Sequence, residues 1–358
     1  MARRRCDWYM EVLLFMAMVV IESICVGVYT LFKAATLRGL SHHVFVVYAY
    51  AVSVLVLLPA PFMSYRSRAL PPLSLAILAK IGLLGLIGGL SQIMGYTGIS
   101  FSSPTLNSAL SNLTPALTFI LAILFRMEKV SLKSSSSQAK IIGTILSISG
   151  AFVVTLYKGP PVITAALKWP FSFDPLLSSS SSNWVLGGAF LTAEYILVPL
   201  YYIVMAQIME DYPAELTVPF FHNIFVCIIA AIVALAAEHD ANAWRVSDVG
   251  LASVICSGLF AHCLRNCFHV WAIRLKGPFY VAMFKPASVV IAILMGFFFL
   301  GDALYLGSLI GAIIMSIGFY SVLWGKAKEE TNEEPRESVT PSPPSQNVPL
   351  LPKHHQSH

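Results

Sequence analysis

The chain has 358 residues, 57% of them hydrophobic and only 11% charged, with a formal net charge of +5. So few charges cannot cover the surface of a water-soluble globule, whereas a lipid-facing surface requires none. The composition therefore excludes a soluble protein, and no folded basic surface is left for a nucleic acid. It predicts an all-α integral membrane protein.

At about 20 apolar residues per crossing, ten segments qualify: 11–33, 43–63, 75–96, 103–125, 139–157, 184–205, 217–237, 249–272, 279–300 and 305–324. The first follows Arg3, Arg4 and Arg5 and holds Glu22. It runs past the length of a signal-peptide core without a small-residue cleavage site, so it reads as an uncleaved helix. The third carries Gly82, Gly85, Gly88 and Gly89, which let helices approach, together with Gln92, and Lys80 near its end snorkels. The fourth holds Asn107, Asn112, Pro104 and Pro115, and the fifth holds Gly143 and Gly150. A serine-rich loop over 158–183 leads to the sixth, which contains Glu194 and Pro199. The seventh adds Pro219, His222 and Asn223.

In the eighth segment His262, Asn266 and His269 recur at i, i+4 and i+7, with Arg265 beside them, which predicts one polar helical face. A polar face inside a membrane should look toward a water-filled cavity. Cys263 and Cys267 stand near the two histidines, but no carboxylate completes a metal set, and the six cysteines read as small apolar packers. The ninth segment places Lys285 beside Pro286 in "MFKPASVV", and the tenth holds Gly311 and Gly318. Residues 326–358 lack periodicity, are rich in proline and carry mixed charge, which predicts a disordered tail.

Alternate crossings place Arg3, Arg4, Arg5, Arg66, Arg68, Arg126, Lys129, Lys133, Lys140, Arg274, Lys276, Lys326 and Lys328 on one side. Only Lys33, Arg38, Lys158, Lys168 and Arg245 fall on the other. The asymmetry predicts both termini in the cytosol.

The chain also echoes itself. "AMVVIE" ends at Glu22 and "AFLTAE" at Glu194; "TPAL" carries Pro115 and "KPAS" Pro286; "GTILSISG" begins at Gly143 and "GAIIMSIG" at Gly311. The three offsets all lie near 170 and keep one order. Five crossings per copy is an odd number, so the second copy enters from the opposite side. Such inverted repeats are typical of secondary transporters, with the binding site near mid-membrane between the halves. The implied organisation is an N-terminus over 1–10, a first repeat over 11–157, a loop over 158–183, a second repeat over 184–325 and the tail.

Glu22, Glu194, Arg265 and Lys285 each cost roughly 2.5–3.5 kcal/mol at a helix centre, so together they must pair, protonate or line water. They head the candidate substrate-binding residues, followed by His262, Asn266, His269, Gln92 and Asn107, with Pro115 and Pro286 as hinges or cavity walls. There is no phosphate loop, no H-E-x-x-H and no G-x-S-x-G. Neither a catalytic residue nor a cofactor or metal is expected; the bilayer and a small-molecule substrate are the expected partners, and a homo-oligomer stays open. The rival readings are a receptor or scaffold signalling through the tail and a transporter of a different solute, such as a nucleotide sugar or a drug-like compound.

"LNSALSNLTPALTFILAILFRMEKV", "AKIIGTILSISGAFVVTLYKGP", "WAIRLKGPFYVAMFKPASVVIAILMG" and "LGDALYLGSLIGAIIMSIGFYSVLWGK" closely resemble the plant Walls-Are-Thin-related (UMAMIT) transporters, which have paired EamA-type domains within the drug/metabolite transporter superfamily. The resemblance spans about residues 10–327. It implies ten helices in two five-helix repeats and movement of small metabolites, amino acids and in some members auxin, across a plant plasma or vacuolar membrane. Many relatives carry arginine where this chain has Ala49.

Overall fold

The computed structural model describes residues 2–62, 73–101, 107, 110–128, 134–157, 159–163, 184–295 and 304–337. The helices are α1 (Ala2–Leu37), α2 (His42–Leu57), α3 (Leu75–Phe101), α4 (Thr114–Leu124), α5 (Ser135–Leu156), α6 (Trp184–Asp211) and α7 (Thr217–Ala237). There follow α8 (Asp248–Cys256), continued without a break by a π segment (Ser257–Leu264) and α9 (Arg265–Lys276), then α10 (Pro278–Met295) and α11 (Leu306–Glu337). Seven of these rods are long and apolar enough to cross a membrane; α4 and α10 are shorter apolar helices. The ten-rod architecture matches the expected all-helical class. The departure among the described residues is a short antiparallel ladder, β1 (Pro161–Ile163) against β2 (Leu304–Tyr305).

Local chemistry sets the breaks. Ser247 caps α8 by accepting from Gly250 N–H, with Asp248 in the first turn favoured by the helix dipole. Gly277 ends α9 with φ of 84°, which only a residue without Cβ enters cheaply, and Pro278 then opens α10. Pro115 sits in the first turn of α4, so this proline marks a helix start. Pro286 lies inside α10, which continues through it. One lost donor at that position bends a ladder without ending it.

The inversion is visible in how equivalent helices meet. A Cβ on Gly143 would stand 2.6 Å from Gly318 O, and one on Gly150 would stand 2.8 Å from Gly311 O. Gly143 and Gly311 are equivalent in the repeats, as are Gly150 and Gly318. The two-fold that exchanges the repeats therefore turns the first contact into the second, and α5 runs antiparallel to α11. Likewise α2 and α7 run antiparallel: Cys227 Sγ donates to Val47 O, and Asn223 Nδ2 donates to Ser53 Oγ at 2.7 Å.

The ends obey strict alternation. On the end that carries the N-terminus, Glu11 pairs with Lys276, Lys80 with Asp211 and Arg274 with Glu215. Lys140, fully buried at the base of α5, bridges Glu128 at 2.8 Å and Glu329 at 2.6 Å, while Lys326 also holds Glu128. Burial alone would raise the Glu128 carboxyl, but Lys326 and Lys140 outweigh it and hold it below its ordinary value. At the opposite end Ser41 Oγ donates to Glu238 and Tyr48 Oη to Trp244 O. α11 runs on to Glu337, into the stretch expected to be a tail, with Glu329 held by Lys140; residues 338–358 lie outside the described residues.

Candidate functional site

Helical phase separates lipid-facing from inward-facing positions. On α6, Val185, Ala189, Thr192 and Ile196 form an exposed stripe, and Glu194 lies on the far side of the helix from it. Glu194 is partly buried on that inner side. On α1, the exposed Leu13, Met16 and Val20 mark the lipid side, and Glu22 points away from them, buried.

Two helices bring basic side chains to Glu22. Its Oε1 lies 3.3 Å from His269 Nε2 on α9 and 3.6 Å from Lys285 Nζ on α10. His269 is within reach but off hydrogen-bond geometry and Lys285 is slightly too far, so Glu22 Oε1 and His269 Nε2 keep unused bonding capacity. Arg265, one helical turn before His269, donates from Nη1 to the Tyr29 hydroxyl at 2.8 Å, and its Nε has no partner. No carboxylate among the described residues lies within ion-pair distance of Arg265.

Glu194 is placed by glycine. A Cβ on Gly95 of α3 would stand 2.5 Å from the Glu194 carboxyl carbon, and one on Gly98 would stand 2.7 Å from Leu191 Cγ. Bare backbone on α3 thus makes the niche that receives the carboxylate. Its Oε2 is buried without a hydrogen bond. Gly85, Gly88, Gln92 and Gly95 recur on one face of α3, which puts Gln92 between the Gly88–His222 contact and the Glu194 niche. Asn107 accepts from Tyr195 Oη at 2.6 Å, next along α6 from Glu194.

The predicted single face over 262–269 divides in two. His262 and Asn266 turn toward α2, α3 and α7. Asn266 Nδ2 donates to Asn223 Oδ1, Asn223 Nδ2 donates to His262 O and Ser53 Oγ, and the His262 ring stacks 4.1 Å from Tyr50. Arg265 and His269 turn toward α1 and the charges. The π segment inserts extra backbone before Arg265 and so alters the phase that a regular helix would keep. Gly258 in that segment allows α2 to cross directly on it, at Ala49 and Val52.

The tyrosines of the site carry no signal in the sequence. Tyr29 and Tyr202 stand beside the charges, and Tyr50 and Tyr96 line the histidine branch, all in apolar segments where tyrosine ordinarily just packs. Gly95 and Gly98 carry none either. Near the start of α4, Asn112, Thr114 and Thr118 are fully buried, and their side-chain polar atoms have no partner among the described residues.

The antiparallel repeats and the charges buried where they meet define a multi-pass membrane transporter. The sequence signature of the EamA-like transporter family matches residues 13–156 and 183–324, and the chain belongs to that family. WAT1-related protein At3g28050 of Arabidopsis thaliana is 54% identical over 353 residues, covering 95% of this chain and 95% of that protein. WAT1-related protein At5g40240 of the same plant is 51% identical over 326 residues, covering 90% and 89%. A solved protein crystal structure superposes with a TM-score of 0.64 over 89% of this chain and 98% of that chain, at 12% identity, a likeness of fold alone.

Proposed function

We propose that the chain is a secondary transporter or facilitator that moves small carboxylate-bearing metabolites, amino acids or related organic acids, across a plant plasma or vacuolar membrane by alternating access. Both termini face the cytosol in this reading, which puts the Glu128–Lys140–Lys326 cluster on the cytosolic side. Arg265 and Lys285 supply the positive field that draws a substrate carboxylate. Glu22 and Glu194 supply the negative field for an ammonium group or an exchanged proton. His269, His262, Asn266, Gln92 and Asn107 form the polar surround, and the helices carrying Pro115 and Pro286 move as the repeats rock about the site.

The observation that supports this best is the convergence of Glu22, His269, Arg265 and Lys285, from helices of both repeats, on one buried place. The test is counterflow in proteoliposomes with labelled amino acids and indole-3-acetate. Saturable uptake is expected, falling at least about ten-fold in Arg265→Ala. A well-folded wild type that moves none of these solutes would end the proposal.

A further inference from the structure

A cavity of about 240 Å³ lies at the end of the bundle that carries the N-terminus. Glu11 and Phe15 of α1, Lys276 of α9, Tyr280 of α10, and Leu323 and Lys326 of α11 line it. Charge rings its mouth: Glu11, which is exposed, pairs with Lys276 at 2.8 Å, and Lys326 holds Glu128. Phenyl rings close its inner end. Phe15 lies 5.7 Å from Phe284 of α10 and 6.1 Å from Phe319 of α11, centroid to centroid, and Phe284 lies 5.2 Å from Phe319. Phe284 is fully buried and packs in one apolar cluster with Met18 and Tyr280.

The intramembrane charges lie directly behind these rings. Phe284 precedes Lys285, and Phe15 shares a face of α1 with Glu22, seven residues or about 10 Å further along the axis. Three layers therefore follow one another inward, each joining α1 to helices of the other repeat: Glu11 with Lys276, Phe15 with Phe284 and Phe319, and Glu22 with Lys285 at 3.6 Å. Resting on the transport reading above, we infer that the cavity is the cytosolic mouth of the solute route, and that Phe15, Phe284 and Phe319 are the gate that closes it on the cytosolic side of Glu22 and Lys285.

The layers suit that role. Two lysines and one glutamate among the lining residues favour the approach of an anion. Phenyl rings exclude water while they touch and leave no hydrogen-bonding group stranded when they part. Because every layer spans the two repeats, rocking of one repeat against the other separates all three together. Phe15, Phe284 and Phe319 act on passage, whereas recognition belongs to the charges behind them.

The test reads access from one side of the membrane. In a background with the native cysteines replaced, Leu323→Cys and Ser288→Cys are made one at a time. Each is treated with a charged, membrane-impermeant methanethiosulfonate in inside-out vesicles, whose outer surface is the cytosolic face. Leu323 lines the cavity, and Ser288, one turn past Phe284 on α10, lies behind the rings. Position 323 should react, and position 288 should react at least about ten-fold more slowly. Phe319→Ala should raise the rate at 288 by at least about ten-fold and leave 323 unchanged. Tyr320→Ala, at a position 70% exposed toward lipid, should alter neither. Separately, Phe15→Cys with Phe319→Cys, bridged by a short bis-methanethiosulfonate, should lose counterflow and regain it on reduction. Thermal unfolding establishes that each variant is folded. An unreactive position 323, or a rate at 288 that Phe319→Ala does not change, would show that the cavity is a crevice outside the route, while carboxylate transport stands. Counterflow that survives the bridge would likewise overturn the gate. If neither an amino acid nor indole-3-acetate moves in counterflow, the transport reading fails; the labelling needs no solute and still decides where the gate lies.

Discussion

Lys285→Ala is expected to destabilise the folded protein by about 3–5 kcal/mol, because it strips Glu22 of its ammonium partner inside a low-dielectric bundle. Only His269 would remain, at 3.3 Å and off hydrogen-bond geometry. Removing both charges should be far milder. In the double variant Glu22→Gln with Lys285→Ala no ion is stranded, and most of the lost stability should return. Thermal unfolding in detergent, followed by intrinsic fluorescence, reads the whole cycle. A double variant as unstable as the sum of the two singles would show that Glu22 and Lys285 do not interact.

The second large effect lies at the α5–α11 seam. A Cβ on Gly318 would stand 2.5 Å from Ser147 N and 2.6 Å from Gly143 O, which are backbone atoms that no rotamer change can move. Gly318→Val must push the helices apart, at a cost of at least about 1–3 kcal/mol. The pseudo-two-fold makes a stricter demand: Gly150→Val, which faces Gly311 O and Met315 N, should cost a similar amount. Ile317→Val, on the lipid side of the same helix, should cost little. The yield of monodisperse protein after solubilisation compares the three.

Much of this was legible in the sequence because the bilayer makes charge and backbone polarity expensive. Glu22 and Lys285 stood out as ionic groups with no apolar reason to be present, and they meet. The glycines of segments five and ten were spaced alike, and they meet as well, in the antiparallel sense that an odd number of crossings requires. Periodicity places His262, Arg265, Asn266 and His269 inward, and all four are buried; it does not say which neighbour each meets, and Asn266 bonds Asn223 of α7 while Arg265 bonds Tyr29 of α1. Pro115 and Pro286 looked equivalent, yet one starts a helix and the other sits within one.

Some features left no trace in pattern. Gly95 is one glycine among several on α3, and only the fold shows that it faces Glu194. Tyr29 lies in an apolar run, and nothing local marks it as the partner of a guanidinium 236 positions away. Lys140 reads as a flanking charge, yet it is buried between Glu128 and Glu329 and ties α5 to α11.

The central claim is that the intramembrane charges face a wetted interior between two inverted repeats, and labelling of single cysteines tests it most directly. In a background with the six native cysteines replaced, residues 194 and 196 are changed to cysteine one at a time and treated with a charged, membrane-impermeant thiol reagent. Position 194, the less exposed of the two, should react and be protected by transported solute, whereas position 196, though 58% exposed, should stay unreacted beneath lipid. Reaction at 196 with none at 194 would contradict it.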